Sequence, residues 1–594
     1  MPRLKYRVKM KLIRSIRIVT LIYLGLFFIG MFIFSALHEP MPYSEELLKP
    51  SLVYSWICMP ATGILSLLGI SESYAFPYTN LICLVASLLL MNLILKNDYT
   101  RKLLLTIALT LNPIIFYMSW NSSDVLIYSL MILALSFWYT KGYKRGAILI
   151  SLAAILNPSV LAVALIMFIE FLVDTIRSDK KAGRKVGGIA LYISTHLLSL
   201  FPFVYNFTMT GEVDFTGGHE LSFGGSESIF SRFGAYLFDL NFGILPYFVV
   251  LMGISVVLLV LAMYKYNIRY IAWFVAFLLH VFCYSLVVDI NGVMSGIARF
   301  NVWGMTTLIF AVVLVGMDLP ELVNTKIGYG ISVMSGVLLT MIVVIAYGPF
   351  MADNTIYTSH TPLASFVTEH FPSLYSPLKS TFKSRTLHEE DTKTIDTPVV
   401  LYGNDAYVRK ILATSDDKEK LLNEYVSYGE SYEKFTTAVD GLTETPTYLN
   451  FSSKDKISRS VSYNKGASLN FSKTRSNGFQ YFVKGLSEPE DWGAWIDGGE
   501  AVLRMRLSSI NGKAHVTIKT KSNSKQDIII YQDDEVVYKA NSFRGDEISF
   551  DIKVSINEGP IELRIILPEA TIPTKPGQEI DREDGFGITE IVIQ

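Results

Sequence analysis

Between Ile18 and Phe350 the chain alternates apolar runs of about 18 to 25 residues, the length that crosses a hydrocarbon core, with short basic loops. From Met351 to Gln594 those runs give way to short stretches in which apolar and polar residues alternate. The two halves are written for two solvents. The pattern predicts membrane helices near 16–36, 75–95, 103–119, 124–140, 146–157, 158–176, 186–206, 242–264, 270–289, 300–318 and 327–348, about eleven in all. Segments 146–157 and 158–176 meet at Asn157-Pro158, and basic residues flank both outer ends (Lys141, Lys144 and Arg145; Arg177, Lys180, Lys181, Arg184 and Lys185). They read as a hairpin that returns to the side it left, which leaves nine full crossings.

Loop charge adds a direction. The loops on one side hold 21 Lys and Arg residues, whereas the other side has only Lys49, Arg232 and Arg299 before residue 351. The positive-inside rule places the N-terminus in the cytoplasm, and an odd number of crossings places the C-terminal half outside. The N-terminal stretch MPRLKYRVKMKLIRSIRIV is basic like a signal peptide, but the apolar run after it extends to about Ala36 without a small-x-small cleavage site, so it reads as an uncleaved span.

Composition agrees with the pattern: 51% hydrophobic residues, 18% charged residues and a mean hydropathy of +0.37 are too apolar for a soluble protein of 594 residues. The net charge of -1, with basic residues set beside the membrane segments, points to the membrane surface and away from nucleic acid. Cys58, Cys83 and Cys283 make no disulfide framework.

The outer half divides further. Residues 351–450 form a linker and small α/β region, with the amphipathic stretch TPLASFVTEHFPSLY, the polar KSRTLHEEDTKTID and a strand-helix unit built from PVVLYGNDAYVRKIL and KEKLLNEYVSYGESYEKF. No chemistry is assigned to it. In 451–594 the segments VLRMRL, HVTIKTK, QDIIIYQ, EVVYKA, EISFDIKV, IELRIIL and ITEIVI are short alternating strands between turn residues, which predicts a mainly β, sandwich-like or jelly-roll-like domain.

An ionisable group inside a bilayer costs about 2.5 to 3.5 kcal/mol on insertion scales, so the places where charge survives are informative. His196 and His280 are the mid-span candidates for a proton relay, and a packed, hydrogen-bonded helix contact is the preferred reading of each. The acids gather instead at outer helix ends: Glu39, Glu45 and Glu46 in SALHEPMPYSEELLKP, and Asp124 in WNSSDVLIY. Such carboxylates either complement a helix dipole or act as a general base at the membrane surface. Arg299 in NGVMSGIARFNVWG either snorkels or clamps a phosphate. Trp492 and Trp495 either fill a core or stack on a sugar, and the core is the preferred reading. The sequence carries no phosphate-binding loop, no nucleophile elbow and no metal-ligand spacing, so nucleotide-driven transport is unsupported and a divalent metal is possible but has no motif behind it.

A basic N-terminus, a first span, a long acidic outer loop, a span opening with NSSD, the hairpin RGAILISLAAILNPSVLAVALIMFIEFL and the late GIARFNVWG together resemble the GT-C superfamily of multi-pass glycosyltransferases over about 16–350. The resemblance implies a polyprenyl-phosphate sugar as donor, transfer outside the cytoplasm, Glu39 as leading base with Glu45 and Glu46 as competitors, Asp124 assisting, and Arg299 facing the donor phosphate. HEPMPYSEE departs from the aspartate or acidic pair usual in that family. GLSEPEDWGAWIDGGEAVLRMRL and PTKPGQEIDREDGFGITEIVI look like the terminal β-domain found on bacterial membrane transferases that modify envelope glycans.

These features lead to the expectation of a bacterial inner-membrane glycosyltransferase that acts on an envelope glycan or glycolipid on the periplasmic face, with membrane lipid, polyprenyl-phosphate sugar and acceptor glycan as partners. The competing readings are a flippase for lipid-linked glycans, which would call for internal repeats and polar residues deep in the spans, and a catalytically silent scaffold that binds glycan.

Overall fold

A computed structural model describes residues 18–32, 52–67, 71, 74–95, 99–118, 122–178, 182–210, 227–286, 297–318, 326–346, 359–388, 397–405, 407–426, 430–459, 461–474, 477–487, 489–496, 499–507, 512–522, 525–532, 535–554, 561–568 and 586–594. The chain divides into two compact units, Met1–Tyr357 and Thr358–Gln594.

The first unit is helical. In chain order the described helices are α1 (Ile18–Phe32), α2 (Leu52–Leu67), α3 (Ala75–Ile94), α4 (Tyr99–Thr110), α5 (Asp124–Tyr139), α6 (Tyr143–Leu156), α7 (Leu161–Arg177), α8 (Ala182–Thr195), α9 (Phe201–Thr210), α10 (Ile229–Phe238), α11 (Leu245–Tyr264), α12 (Ile268–Tyr284), α13 (Arg299–Phe310) and α14 (Lys326–Ala346). Among the described residues, five stretches are long and apolar enough to cross a membrane: Ala75–Ile94, Pro158–Arg177, Leu245–Tyr264, Arg299–Asp318 and Gly328–Ala346. The last but one is 94% buried and forms the centre of the bundle, with α5 and α12 against it. The other four turn residues such as Leu93, Ile176, Val260 and Ile342 outward, an apolar exterior that suits hydrocarbon better than water.

Helix ends follow from local chemistry. The tripeptide Leu-Asn-Pro occurs twice, at 111–113 and 156–158. In both copies the asparagine side chain accepts a hydrogen bond from the backbone N–H two residues on (2.9 Å to Ile114 and 3.0 Å to Ser159), and the proline opens a short 3-10 turn. The first copy stops α4 at Thr110, so the expected span 103–119 is a helix followed by a 3-10 segment. The second joins α6 to α7, as the hairpin reading required. The expected span 186–206 is likewise interrupted, by a 3-10 turn over His196–Leu200.

One end of the bundle is a charged network. Arg101 pairs with Asp318 (2.5 Å), Lys141 with Asp174 (2.9 Å) and Arg269 with Glu170 (3.5 Å), while Glu170 also accepts from the Trp138 indole (2.7 Å). These contacts tie α4, α5, α7 and α12 together at the end where α5 finishes. Beneath them the Trp138 and Trp273 rings stack at 4.1 Å.

The second unit contains a small α/β layer and a pair of larger sheets. Strands β1 (Val399–Tyr402), β2 (Val408–Ala413) and β4 (Thr447–Asn450) form an antiparallel sheet with β2 central and buried throughout. Helices α15 (Pro362–His370), α16 (Lys379–Leu387), α17 (Lys418–Glu424) and α18 (Glu430–Asp440) surround it. A two-stranded ladder, β3 (Tyr425–Val426) with β5 (Ser458–Arg459), follows.

The larger sheets begin with short strands β6 (Val461–Ser462), β7 (Ser468–Asn470), β8 (Phe482–Lys484) and β9 (Ala494–Trp495). Longer ones follow: β10 (Glu500–Arg506), β11 (Gly512–Ser522), β12 (Gln526–Gln532), β13 (Glu535–Phe543), β14 (Glu547–Val554), β15 (Ile561–Ile566) and β16 (Phe586–Ile593). One sheet runs β13-β12-β15-β10-β6 with β8 on β10, and the other β14-β11-β16-β7 with β9 on β16. The alternation in EISFDIKV is matched by strictly alternating exposure along β14, so one face enters the core. That core draws Leu503, Met505, Ile528, Ile530 and Ile565 from the first sheet and Val516, Ile518, Ile548, Ile588 and Ile591 from the second. The unit is thus an antiparallel β region, the parallel β6–β10 pair excepted, closed by packing of two sheets.

Candidate functional site

The candidate site lies at the opposite end of the helical bundle from the charged network. It is built where α5 begins, α12 ends and α13 begins. Asp124 is the first residue of α5, where a carboxylate complements the helix dipole, yet its side chain is buried. One carboxylate oxygen, Oδ2, accepts from Ser122 Oγ at 2.7 Å, and Oδ1 accepts from the Trp303 indole N–H at 3.1 Å. Trp303 sits one turn into α13, four residues after Arg299. The two residues singled out on separate helices are therefore connected through a tryptophan that sequence reasoning passed over.

Arg299 is the first residue of α13, and its guanidinium lies over the Phe300 ring at 5.0 Å. Among the described residues its Nε has no hydrogen-bond partner. Ala298, which precedes it, supplies no side-chain cap. A cation at a helix N-terminus opposes the dipole and is unfavourable by about 0.3 to 1 kcal/mol, so the uncapped N–H groups and the guanidinium together suit an anion.

Around this pair runs a buried polar cluster. Asn301 accepts from the Tyr284 hydroxyl and donates to the carbonyls of Tyr236 (2.9 Å) and Phe242 (3.1 Å). Arg232 on α10 is buried and donates through Nε to the Ser285 carbonyl at 3.0 Å and through an η nitrogen to the Glu227 carbonyl at 2.7 Å. Tyr117 donates to the carbonyl of Ile297 at 2.7 Å, just before α13. The starts of α5, α10 and α13 and the end of α12, which border the outer loops expected around Asn121, over 207–241 and before residue 300, meet here. Buried side chains that bond backbone carbonyls hold the ends of neighbouring helices in register.

His280 packs between Trp303 and Tyr284, with ring centroids at 5.4 and 5.5 Å, and its Nε2 lies 3.4 Å from Ser159 Oγ. His196 Nδ1 lies 2.8 Å from Ser151 Oγ and the ring leans on Tyr192. Each histidine sits against a serine and aromatic rings, the arrangement of a packed contact. Glu39, Glu45 and Glu46 lie outside the described residues.

In the second unit Trp492 and Trp495 form an edge-to-face pair at 4.6 Å, and both indole N–H groups donate to one carboxylate, Glu490, at 2.7 and 3.1 Å. The Lys521 ammonium stands over the Trp492 ring at 4.3 Å. A sugar stacking on that face would take the place of this ammonium. Gly587 lies against the edge of Trp492, where a Cβ would come within 2.2 Å of the ring. The two segments noted as a family-like motif, 92 residues apart at Trp495 and Gly587, are thus adjacent: β9 pairs with the start of β16, with Trp495 opposite Gly587.

Among the described residues no group of three His, Cys, Asp or Glu side chains is placed to hold a metal ion. Compared with known proteins, the sequence matches no family model and no curated protein.

Proposed function

We propose that the chain is an integral membrane glycosyltransferase of GT-C type in a bacterial inner membrane, which moves a sugar from a polyprenyl-phosphate carrier to an envelope glycan or glycolipid on the periplasmic face. The observation that carries this reading is the link from Asp124 through Trp303 to the helix that Arg299 opens. It pairs a buried carboxylate with an uncapped, cationic helix start at the bundle end where α5 and α13 begin. A lipid-linked phosphate carries its charge at the membrane interface, and a cationic helix start placed there supplies what a departing phosphate needs.

In this reading Glu39 in the first outer loop, with Glu45 and Glu46 as its competitors, takes the proton of the acceptor hydroxyl. The freed oxygen attacks the anomeric carbon, the bond from that carbon to the carrier phosphate breaks, and polyprenyl phosphate leaves with inversion. Arg299 and the first N–H groups of α13 bind the charge that develops on the phosphate. Asp124 sets the height and rotation of α13 through Trp303. The spans serve as a support for this one surface. Residues 358–594 then face the envelope glycan.

The test is envelope-glycan composition by mass spectrometry in a deletion strain complemented with Glu39→Gln, Glu45→Gln, Glu46→Gln, Asp124→Ala or Arg299→Ala at matched expression. A product sugar absent from the deletion strain, restored by the parent chain and lost in Arg299→Ala and in one first-loop variant, is the expected result. Unchanged composition in every first-loop variant would sink the first-loop base.

A further inference from the structure

We infer that α15 and the turn after it form a second membrane contact: the face made by Leu363, Phe366, Phe371 and Leu374 docks into the interfacial layer of a lipid bilayer. The segment Pro362–Leu374 is a nine-residue helix followed by a 3-10 turn over Pro372–Leu374. Its inner side is buried through Ala364, Thr368 and Pro372. Its outer side exposes Leu363 (37%), Phe366 (54%), Phe371 (52%) and Leu374 (78%), a spacing of three, five and three residues along one surface. Four large side chains so exposed on one short segment, where the unit's other exposed large apolar residues among those described (Leu387, Leu422, Tyr432 and Val536) are scattered singly, mark an interaction surface.

The partner is indicated by what else this surface carries. The other exposed residues here are Pro362, Ser365, His370 and Ser373, so no carboxylate or ammonium is presented. His370 stacks on Phe366 at 4.4 Å, which extends the aromatic surface. Glu369, the only acid in the segment, turns inward: its Oε1 accepts from Arg409 at 2.6 Å and its Oε2 from the Asn404 N–H at 3.0 Å. Gly403 leaves room for this pair, since a Cβ there would lie 2.6 Å from both Arg409 Cζ and Glu369 Oε2. The structure thus withdraws the one charge that anionic lipid would repel. Phe and Leu among small polar groups is the composition of an interfacial element.

The covalent chain supports the same partner. Fifteen residues separate Ala346, the end of the last apolar helix of membrane length, from Pro362. Fully extended, that connection reaches at most about 55 Å. The covalent chain therefore keeps Pro362 within that distance of the end of Gly328–Ala346, a reach that permits contact with a bilayer holding that helix.

This inference rests on the membrane reading of the first unit and is independent of the transfer chemistry. The full-length chain, with Cys58, Cys83 and Cys283 replaced by alanine, is reconstituted in vesicles of phosphatidylethanolamine and phosphatidylglycerol. An environment-sensitive fluorophore is attached in turn to Phe366→Cys, Leu374→Cys, Lys539→Cys on exposed β13, and Leu93→Cys on the outward face of α3. Nitroxide-labelled lipid is expected to quench positions 93, 366 and 374 at least twofold and to leave 539 unchanged, while aqueous iodide shows the reverse order. Quenching at 93 with none at 366 and 374 overturns the proposal. Protection of 366 and 374 from both quenchers also overturns it, because another protein surface then covers the face. Absence of lipid quenching at 93 itself would fault the membrane reading instead. Two labelled positions guard against one substitution disturbing the fold.

Discussion

The Asp124 carboxylate receives the indole N–H of Trp303 at 3.1 Å, across 179 residues of sequence, inside a bundle that buries both side chains. Through this bond the buried carboxylate pins the helix that opens with Arg299. Removal of one partner leaves the other unsatisfied, at a cost of about 1 to 3 kcal/mol. Asp124→Ala and Trp303→Phe are each expected to lower the thermal midpoint in detergent. The double variant is expected to lose less than the sum of the two, and additive losses would show that the pair is not coupled.

The far end of the bundle is expected to be the more sensitive to charge removal. Glu170 accepts from the buried Trp138 indole and pairs with half-buried Arg269, so Glu170→Ala takes away the indole's acceptor and the guanidinium's carboxylate. Glu170→Gln keeps an acceptor for the indole. We expect the alanine variant to lose about 3 kcal/mol and the glutamine variant clearly less, read from unfolding of the purified protein.

In the second unit acid should loosen the α15–α16 region. Burial, assisted by Arg385, His388 and Lys410 nearby, pushes His360 down from 6.5 to about 3. The folded state holds this imidazole neutral while the unfolded state protonates it below 6.5. The contribution to stability is therefore complete above pH 6.5 and falls as pH drops toward 3, by about 1.4 kcal/mol per pH unit. His360→Gln is expected to flatten the pH dependence of hydrogen exchange in residues 359–388 between pH 6.5 and 5. An identical slope in parent and variant would assign the acid sensitivity to other groups.

Gly485 and Gly587 are expected to resist any side chain. Gly485 adopts φ +88° and an added Cβ would sit 1.9 Å from the Glu500 carbonyl oxygen. Gly587→Ala would push Trp492 off its glycine and away from Lys521. Gly587→Ala should cost about 1 to 3 kcal/mol and Gly485→Ala more, since backbone cannot move aside as a ring can. Tryptophan fluorescence of the Gly587 variant should shift with the loss of stability; stability without any spectral change would disprove the packing role.

The long strands were legible because each carries its own signal. VLRMRL, HVTIKTK, QDIIIYQ, EVVYKA, EISFDIKV, IELRIIL and ITEIVI all fall within or across β10 to β16, since alternation over six or more residues can be read locally. The strands β6 to β9 were missed because two or three residues carry no period; they are strands only because β10 and β16 offer open edges. The same holds for helices. Asn157-Pro158 announced a hairpin through its basic flanks, whereas the identical Asn112-Pro113, lacking them, was read through as continuous span.

By itself, then, the sequence determined the division into an apolar helical half and an alternating β half, and it marked Asp124 and Arg299, because hydropathy, periodicity and isolated charge are properties of short windows. Only the tertiary structure decided that Asp124 is linked, through Trp303, to the helix that Arg299 opens. Trp303 resembles any apolar residue of a buried helix until α5 and α13 pack and an indole N–H must find an acceptor. Tertiary structure likewise decided that Trp492 rests against Gly587, because pairing over that sequence distance depends on sheet register, which no local window contains.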